Sequence, residues 1–239
     1  MDSSIEITEI KNFDLKNGYV VDGFPNLGLA SGIAAESMTK TSDFQLAGYV
    51  DSKTFPSLSM VRDGLPNYPV SIFVNEKLKV AVFLSHLFFP EPFSRDISTA
   101  MIEYAKNHQC KQIISSMGMK RPTEIKKEIA AIGSTKAVRK KIKSLGIEMP
   151  SDLTIPGIPG MLLNKGRFSN QEVIVLLFFP KTKKSPDLEF GAKLCLTMGL
   201  FIPKLPCNLK IIRNESIKAE KLIKKTQRET KQLNDAIYL

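Results

Sequence analysis

The feature that most restricts this chain is a pair of strand-like runs that are apolar at nearly every position, LKVAVFLSH (78–86) and QEVIVLLFF (171–179). A strand with one wet face alternates apolar and polar residues. A continuous apolar run needs cover on both faces, which helices packed against a sheet supply. Four more runs of β-branched and aromatic residues bounded by turn formers read as strands: GYVVDGF (18–24), FQLAGYVD (44–51), YPVSIFVN (68–75) and KQIISSMG (111–118). VNEKLK, between the third of these and 78–86, reads as a hairpin turn, so the sheet is expected to be mixed.

Helical segments fall between the strands. LGLASGIAAESMTK (27–40) follows the first strand. SRDISTAMIEYAKNHQ (94–109) has Ser94 as its expected cap and Ile97, Met101 and Tyr104 on one face. TEIKKEIAAIGSTKAVRKKIKSLG (123–146) is helix-forming, with Gly133 and a possible short strand as interruptions. SPDLEFGAKLCLTMGLFI (185–202) opens on a Ser-Pro-Asp start signal. This alternation predicts an α/β sandwich. At 213 the composition shifts to a polar helix with a thin apolar seam of Ile217, Leu222 and Leu233. The expected organisation is therefore one α/β domain over 1–212 and a C-terminal helical arm over 213–239.

Composition narrows the function classes. Apolar residues make up 43% of the 239, enough for a substantial core and against wholesale disorder. No apolar run reaches the roughly 18 residues of a membrane helix. The N-terminal MDSSIEITEIKNFD lacks a basic-then-apolar leader, so no membrane role and a cytoplasmic location are expected. Cys110, Cys195 and Cys207 are odd in number and widely spaced, which suggests no disulfide framework and a reducing compartment. With only His86 and His108 to add, no zinc-ligand spacing arises, and neither metal nor cofactor is expected. The formal charge of +10 is uneven: residues 1–100 carry 8 Lys/Arg against 12 Asp/Glu, and the rest carry 26 against 12. That asymmetry favours an acidic partner surface, or else simply solvated lysine-rich helices.

VVDGFPNLGLASGIAAES (20–37) runs from strand through a glycine turn into a small-residue helix. Gly23, Gly28 and Gly32 would let backbone N–H groups approach a phosphate. Yet the spacing matches neither dinucleotide nor P-loop patterns, no lysine follows, and Pro25 removes a donor. Glycines at 28 and 32 are equally explained by close packing of helix on sheet.

GFPNLGLASGIAAESM resembles the opening motif of the proteasome assembly chaperone family, with Asn26 where that family usually has glycine after GFP. FQLAGYVDSKTFP (44–56), IPGIPGMLLNKG (155–166) and FFPKTKKSPDLEFGAKLCLTM (178–198) agree in order, so the resemblance covers about 18–203. It implies a three-layer α/β/α sandwich with a mixed central sheet, related to the phosphorylase/hydrolase-like architecture but without that group's catalytic residues. It also implies a homo-oligomer that binds proteasome core subunits. The Gly23, Phe24, Pro25, Gly28 and Gly32 loop is then structural or lies at a subunit contact.

The chain ends Ile237-Tyr238-Leu239, which is hydrophobic, tyrosine, any residue. By the resemblance, such a tail docks in a pocket between neighbouring α-type ring subunits. A terminal carboxylate would pair with a lysine there while the tyrosine ring fills an apolar slot. The plainer alternative is that Ile237 and Tyr238 pack on their own domain. Upstream, Lys221, Lys224, Lys225 and Arg228 recur at i, i+3, i+4, i+7 and make one basic face.

Ser85, His86 and Asp96 attract attention as a hydrolytic set, but no nucleophile elbow surrounds them. KAVRKKIK (136–143) and KTKK (181–184) are basic enough to meet phosphates, but lack interleaved aromatics, so nucleic acid ranks third. The sequence therefore points to a non-enzymatic chaperone or adaptor of the proteasome core. The alternative is a phosphorylase-like enzyme that holds a phosphorylated small molecule at the glycine loop.

Overall fold

The computed structural model describes residues 5–26, 30–40, 43–62, 64–179, 188–205 and 207, with helical positions 214, 217, 221, 225 and 228. Eight strands form one sheet: β1 (Glu6–Glu9), β2 (Tyr19–Gly23), β3 (Gln45–Asp51), β6 (Val70–Asn75), β7 (Val80–Ser85), β8 (Gln112–Gly118), β9 (Ile129–Gly133) and β10 (Glu172–Phe178). Two short strands, β4 (Met60–Arg62) and β5 (Leu65–Asn67), make a separate hairpin. The large sheet runs β1-β3-β6-β7-β2-β8-β10-β9. Its centre, β7-β2-β8-β10, is parallel, and the pairs toward both edges are antiparallel. The predicted mixed sheet is present, and the hairpin expected at 75–78 joins β6 to β7.

Helices cover both faces, as the continuous apolar strands require. They are α1 (Ala30–Thr39), α2 (Phe93–Asn107), α3 (Lys136–Ser144), α4 (Gly157–Ser169) and α5 (Leu188–Gly199). Successive strand residues point to opposite layers, and β7 displays this directly. Ala81 and Phe83 join a core with Ile97 and Met101 of α2 and Leu162 of α4. Val80, Val82 and Leu84 join a second core with Met38 of α1, Ile142 of α3 and Leu194 of α5. The result is a three-layer α/β/α sandwich. α1 is buried along almost its whole length between the sheet and α5, which is why its sequence is small and apolar rather than amphipathic.

One local expectation is made definite and two are revised. Residues 123–146 are interrupted by the short strand β9, which ends at Gly133. Ala130 to Gly133 pair antiparallel with β10, and the chain then turns so tightly that a Cβ on Gly133 would lie 2.6 Å from Val138. Thr135 Oγ1 restarts the helix by accepting from Val138 N at 3.2 Å. Ser94 does not cap α2: the cap position is Pro92, and Ser94 lies in the first turn, its carbonyl accepting from Ser98 Oγ at 2.6 Å. The cysteine reading also fails. After α5 the chain folds back through Phe201 and Leu205, both buried, and brings Cys207 onto Cys195, with Cα atoms 5.9 Å apart and a disulfide between them. Sequence spacing cannot show such a reversal. Cys110 stays a free, buried thiol, pushed up to about 12 by desolvation.

Candidate functional site

The chain leaves β2 toward one side of the sheet, through α1 and β3, and crosses from β7 to β8 on the other side through α2. That reversal opens a crevice at the carboxyl ends of β2 and β8, the position where open α/β sheets bind ligands. Residues 23–26 form its floor. A Cβ on Gly23 would meet Ala35 Cβ at 2.5 Å and Phe83 O at 2.7 Å, so this glycine is there to let α1 lie on the sheet. Gly32, in α1, is likewise buried. Phe24 is buried edge-to-face with Phe89 at 5.7 Å, and Phe89 in turn packs on Phe55 and Phe93. Pro25 is also buried, whereas Gly28 lies outside the described residues.

Two polar residues shape the crevice: Asp22, which was not singled out from sequence, and Asn26, which was noted only as a departure from the family's glycine. Asp22, within the apolar run VVDGF, is 1% exposed. Its carboxylate accepts from Ser115 Oγ at 2.6 Å and from Phe24 N at 3.0 Å. Burial raises its pKa to about 6, against the pull of those two hydrogen bonds. Asn26 donates its amide to Ser31 Oγ at 2.8 Å and to the Ser116 carbonyl, tying the loop to β8. Among the described residues its Oδ1, which is buried, has no hydrogen-bond donor. The sequence signal for Asp22 was a charge inside a strand otherwise shielded on both faces.

Beside this loop lies a cavity of about 310 Å³. Its described lining includes Asp22 and Glu91 but no lysine, arginine or histidine, a setting that repels phosphate. The crevice therefore lends no support to the phosphorylase-like alternative.

Ser85 and His86 do not form a catalytic pair. Ser85 Oγ donates to Pro69 O at 3.1 Å and accepts from Leu87 N at 3.0 Å. His86 instead faces α1, where its Nε2 lies 2.8 Å from Glu36 Oε2, and Lys40 lies 3.1 Å from Glu36 Oε1. KAVRKKIK is the amphipathic helix α3, with Val138 and Ile142 buried and Lys136, Arg139, Lys140 and Lys143 in solvent. KTKK (181–184) lies outside the described residues.

Of the expected partner-binding residues, Lys221, Lys225 and Arg228 are helical and exposed, as are Asn214 and Ile217. Lys224 and the tail Ile237, Tyr238 and Leu239 lie outside the described residues.

A mixed eight-stranded sheet with a parallel centre, covered on both faces by helices, defines a three-layer α/β protein. The sequence matches the PAC2 family model over residues 20–200, and the chain belongs to the PAC2 family. Among curated proteins it has no match. Among solved structures it is similar to PbaA of Pyrococcus furiosus, described as an archaeal homolog of proteasome-assembly chaperone. The two are 24% identical with a TM-score of 0.78, covering 97% of this chain and 99% of that one. A Thermoplasma acidophilum protein of unknown function is 18% identical with a TM-score of 0.81, covering 95% and 92%. PbaB of Pyrococcus furiosus, described as an archaeal proteasome activator, is 15% identical with a TM-score of 0.74, covering 94% and 99%. These likenesses establish the fold. Among the described residues no helix is long and apolar enough to cross a membrane.

Proposed function

We propose that this protein is a non-enzymatic assembly chaperone or adaptor of the proteasome core that binds α-type ring subunits. The observation that carries the reading is PAC2 family membership over residues 20–200. The likeness to PbaA and PbaB, whose descriptions name proteasome assembly and activation, supports it. In this reading the sandwich, over 1–212, is a carrier. The segment from 213 presents Ile237, Tyr238 and the Leu239 carboxylate to a pocket between ring subunits. Exposed Lys221, Lys225 and Arg228, with Lys224, meet an acidic rim. Several copies on a homo-oligomer gain avidity against a ring with repeated pockets, even when each tail binds weakly.

The test is co-elution of the full chain with purified α-subunits and with mature core particles, beside a chain lacking residues 237–239. The full chain should co-elute and the shortened chain should not, with its thermal unfolding unchanged. Equal binding by both removes the tail from the proposal. No binding by the full chain to either partner overturns the proposal itself.

A further inference from the structure

The cavity at the carboxyl ends of β2 and β8 has no part in the reading above, and its chemistry is specific. Phe24, Phe88, Phe89 and Met117 supply an apolar wall. Its volume of about 310 Å³ is ample, since a dry cavity of about 150 Å³ already admits a benzene ring. Asp22, Asn26 Oδ1 and Glu91 supply acceptors to that wall. The Asp22 carboxylate is held by two neutral donors, and among the described residues no lysine, arginine or histidine lines the cavity. Asn26 Oδ1 is buried with no donor among the described residues. Glu91 adds a second carboxylate at the exposed rim.

Donors on the opposite wall are the Ser94 hydroxyl and the first backbone N–H groups of α4, at Gly157 and Ile158, which carry partial charges where Asp22 and Glu91 carry whole ones. The first N–H groups of α2 turn back onto its own entry, Phe93 N onto Pro90 O at 3.1 Å and Ser94 N onto Glu91 O at 2.9 Å. At the start of α4, prolines at 156 and 159 remove two further N–H groups from the lining. A buried carboxylate without a counter-charge and a buried acceptor without a donor are both costly arrangements, and one cationic donor would relieve both.

We propose that this cavity binds a small organic ammonium ion with an apolar, ring-sized body. The ammonium sits among Asp22, Asn26 Oδ1 and Glu91, and the body lies against the phenylalanines, whose faces also attract a cation. A glycine at 26 would offer no such acceptor, so the asparagine is the residue that makes the site selective for a donor.

The test uses three probes of one shape, 2-phenylethylamine, 2-phenylethanol and phenylacetate, titrated into the full chain at pH 7.5 by calorimetry and by amide NMR. The amine should bind saturably, with shifts centred on Phe24, Asn26 and Ser94. The alcohol should bind at least about tenfold more weakly, the loss expected for one charge-assisted hydrogen bond. Phenylacetate should not bind. Glu91→Gln, a rim change that leaves the core untouched, should weaken the amine several-fold and leave the alcohol unchanged. Asn26→Ala should weaken the amine further, with circular dichroism confirming the fold. Equal affinity for amine and alcohol, tighter binding of phenylacetate, or no saturable binding of the amine at millimolar concentration would each overturn the proposal.

Discussion

Asp22 is expected to make the fold less stable at neutral pH than its neutral isostere would, and Asp22→Asn measures by how much. The carboxylate ionises near 6 in the folded state, against an ordinary value of 3.8, because burial penalises the charged form. A folded-state pKa above the unfolded one means that the native chain holds its proton more tightly. Stability is therefore fully retained below the unfolded value and lost as pH rises through the folded one. The gap corresponds to about 3 kcal/mol, at 1.36 kcal/mol per pH unit. Asparagine keeps the geometry: its Oδ1 accepts from Phe24 N, and its amide donates to Ser115 Oγ, whose hydroxyl turns to accept. The expected result is a variant equal to wild type near pH 4 and more stable by up to ~3 kcal/mol above pH 6. For a chain of this size that is roughly 6–12 °C in Tm. Urea unfolding of both proteins between pH 4 and pH 8 isolates the effect, since every other carboxylate cancels in the difference. An advantage that is absent at pH 7.5, or the same at pH 4 and pH 7.5, would show that Asp22 is not the buried, uncompensated charge described here.

Other expectations test the framework around it. Gly23→Ala places a Cβ 2.5 Å from Ala35 and 2.7 Å from a backbone oxygen, so it should cost at least the ~1–3 kcal/mol typical of overpacking. Differential scanning calorimetry should show a correspondingly lower Tm, partly recovered when Ala35→Gly is added. Cys195 and Cys207 close a loop across a sequence separation of 12, so Cys207→Ser should lower stability by ~3 kcal/mol in the loop-entropy model, measured by urea unfolding without reductant. Thiol titration of the denatured, unreduced chain should find only Cys110, and the native chain should resist alkylation there at pH 8 because burial holds that thiol protonated. Phe83→Ala removes a ring that is 1% exposed between sheet and helix α2, and should cost ~3–5 kcal/mol by the same unfolding measurement.

The doubly covered centre of the sheet was legible because β7 and β10 are apolar at all positions but Ser85 and Glu172, a pattern that strands covered on both faces sustain. What escaped was decided at a distance. IAAIG at 129–133 read only as a short strand of unfixed place between helix-forming neighbours. It takes its place because β10 offers an open edge, and because Gly133 allows the chain to double back onto Val138. β1 is only four residues long, and β4 and β5 three each, too short to register a period of two. The disulfide was hidden in a chain reversal after α5.

The crevice divides in the same way. Its glycine and Phe-Pro turn stand out in the sequence because backbone geometry selects those residue types locally. Asp22 and Asn26 look ordinary in a line of letters, since burial, and the absence of a partner for one oxygen, exist only once β2, β8 and α1 are assembled. Position 22 is expected to be more stable with asparagine, which keeps an acceptor for Phe24 N and a partner for Ser115 Oγ. A charge retained there, against its own desolvation and on the wall of a cavity, is the kind of conflict with stability that proteins sustain where something binds. Asp22→Asn thus addresses both questions at once: the amount by which it stabilises the free chain is the amount that a bound cation has available to recover.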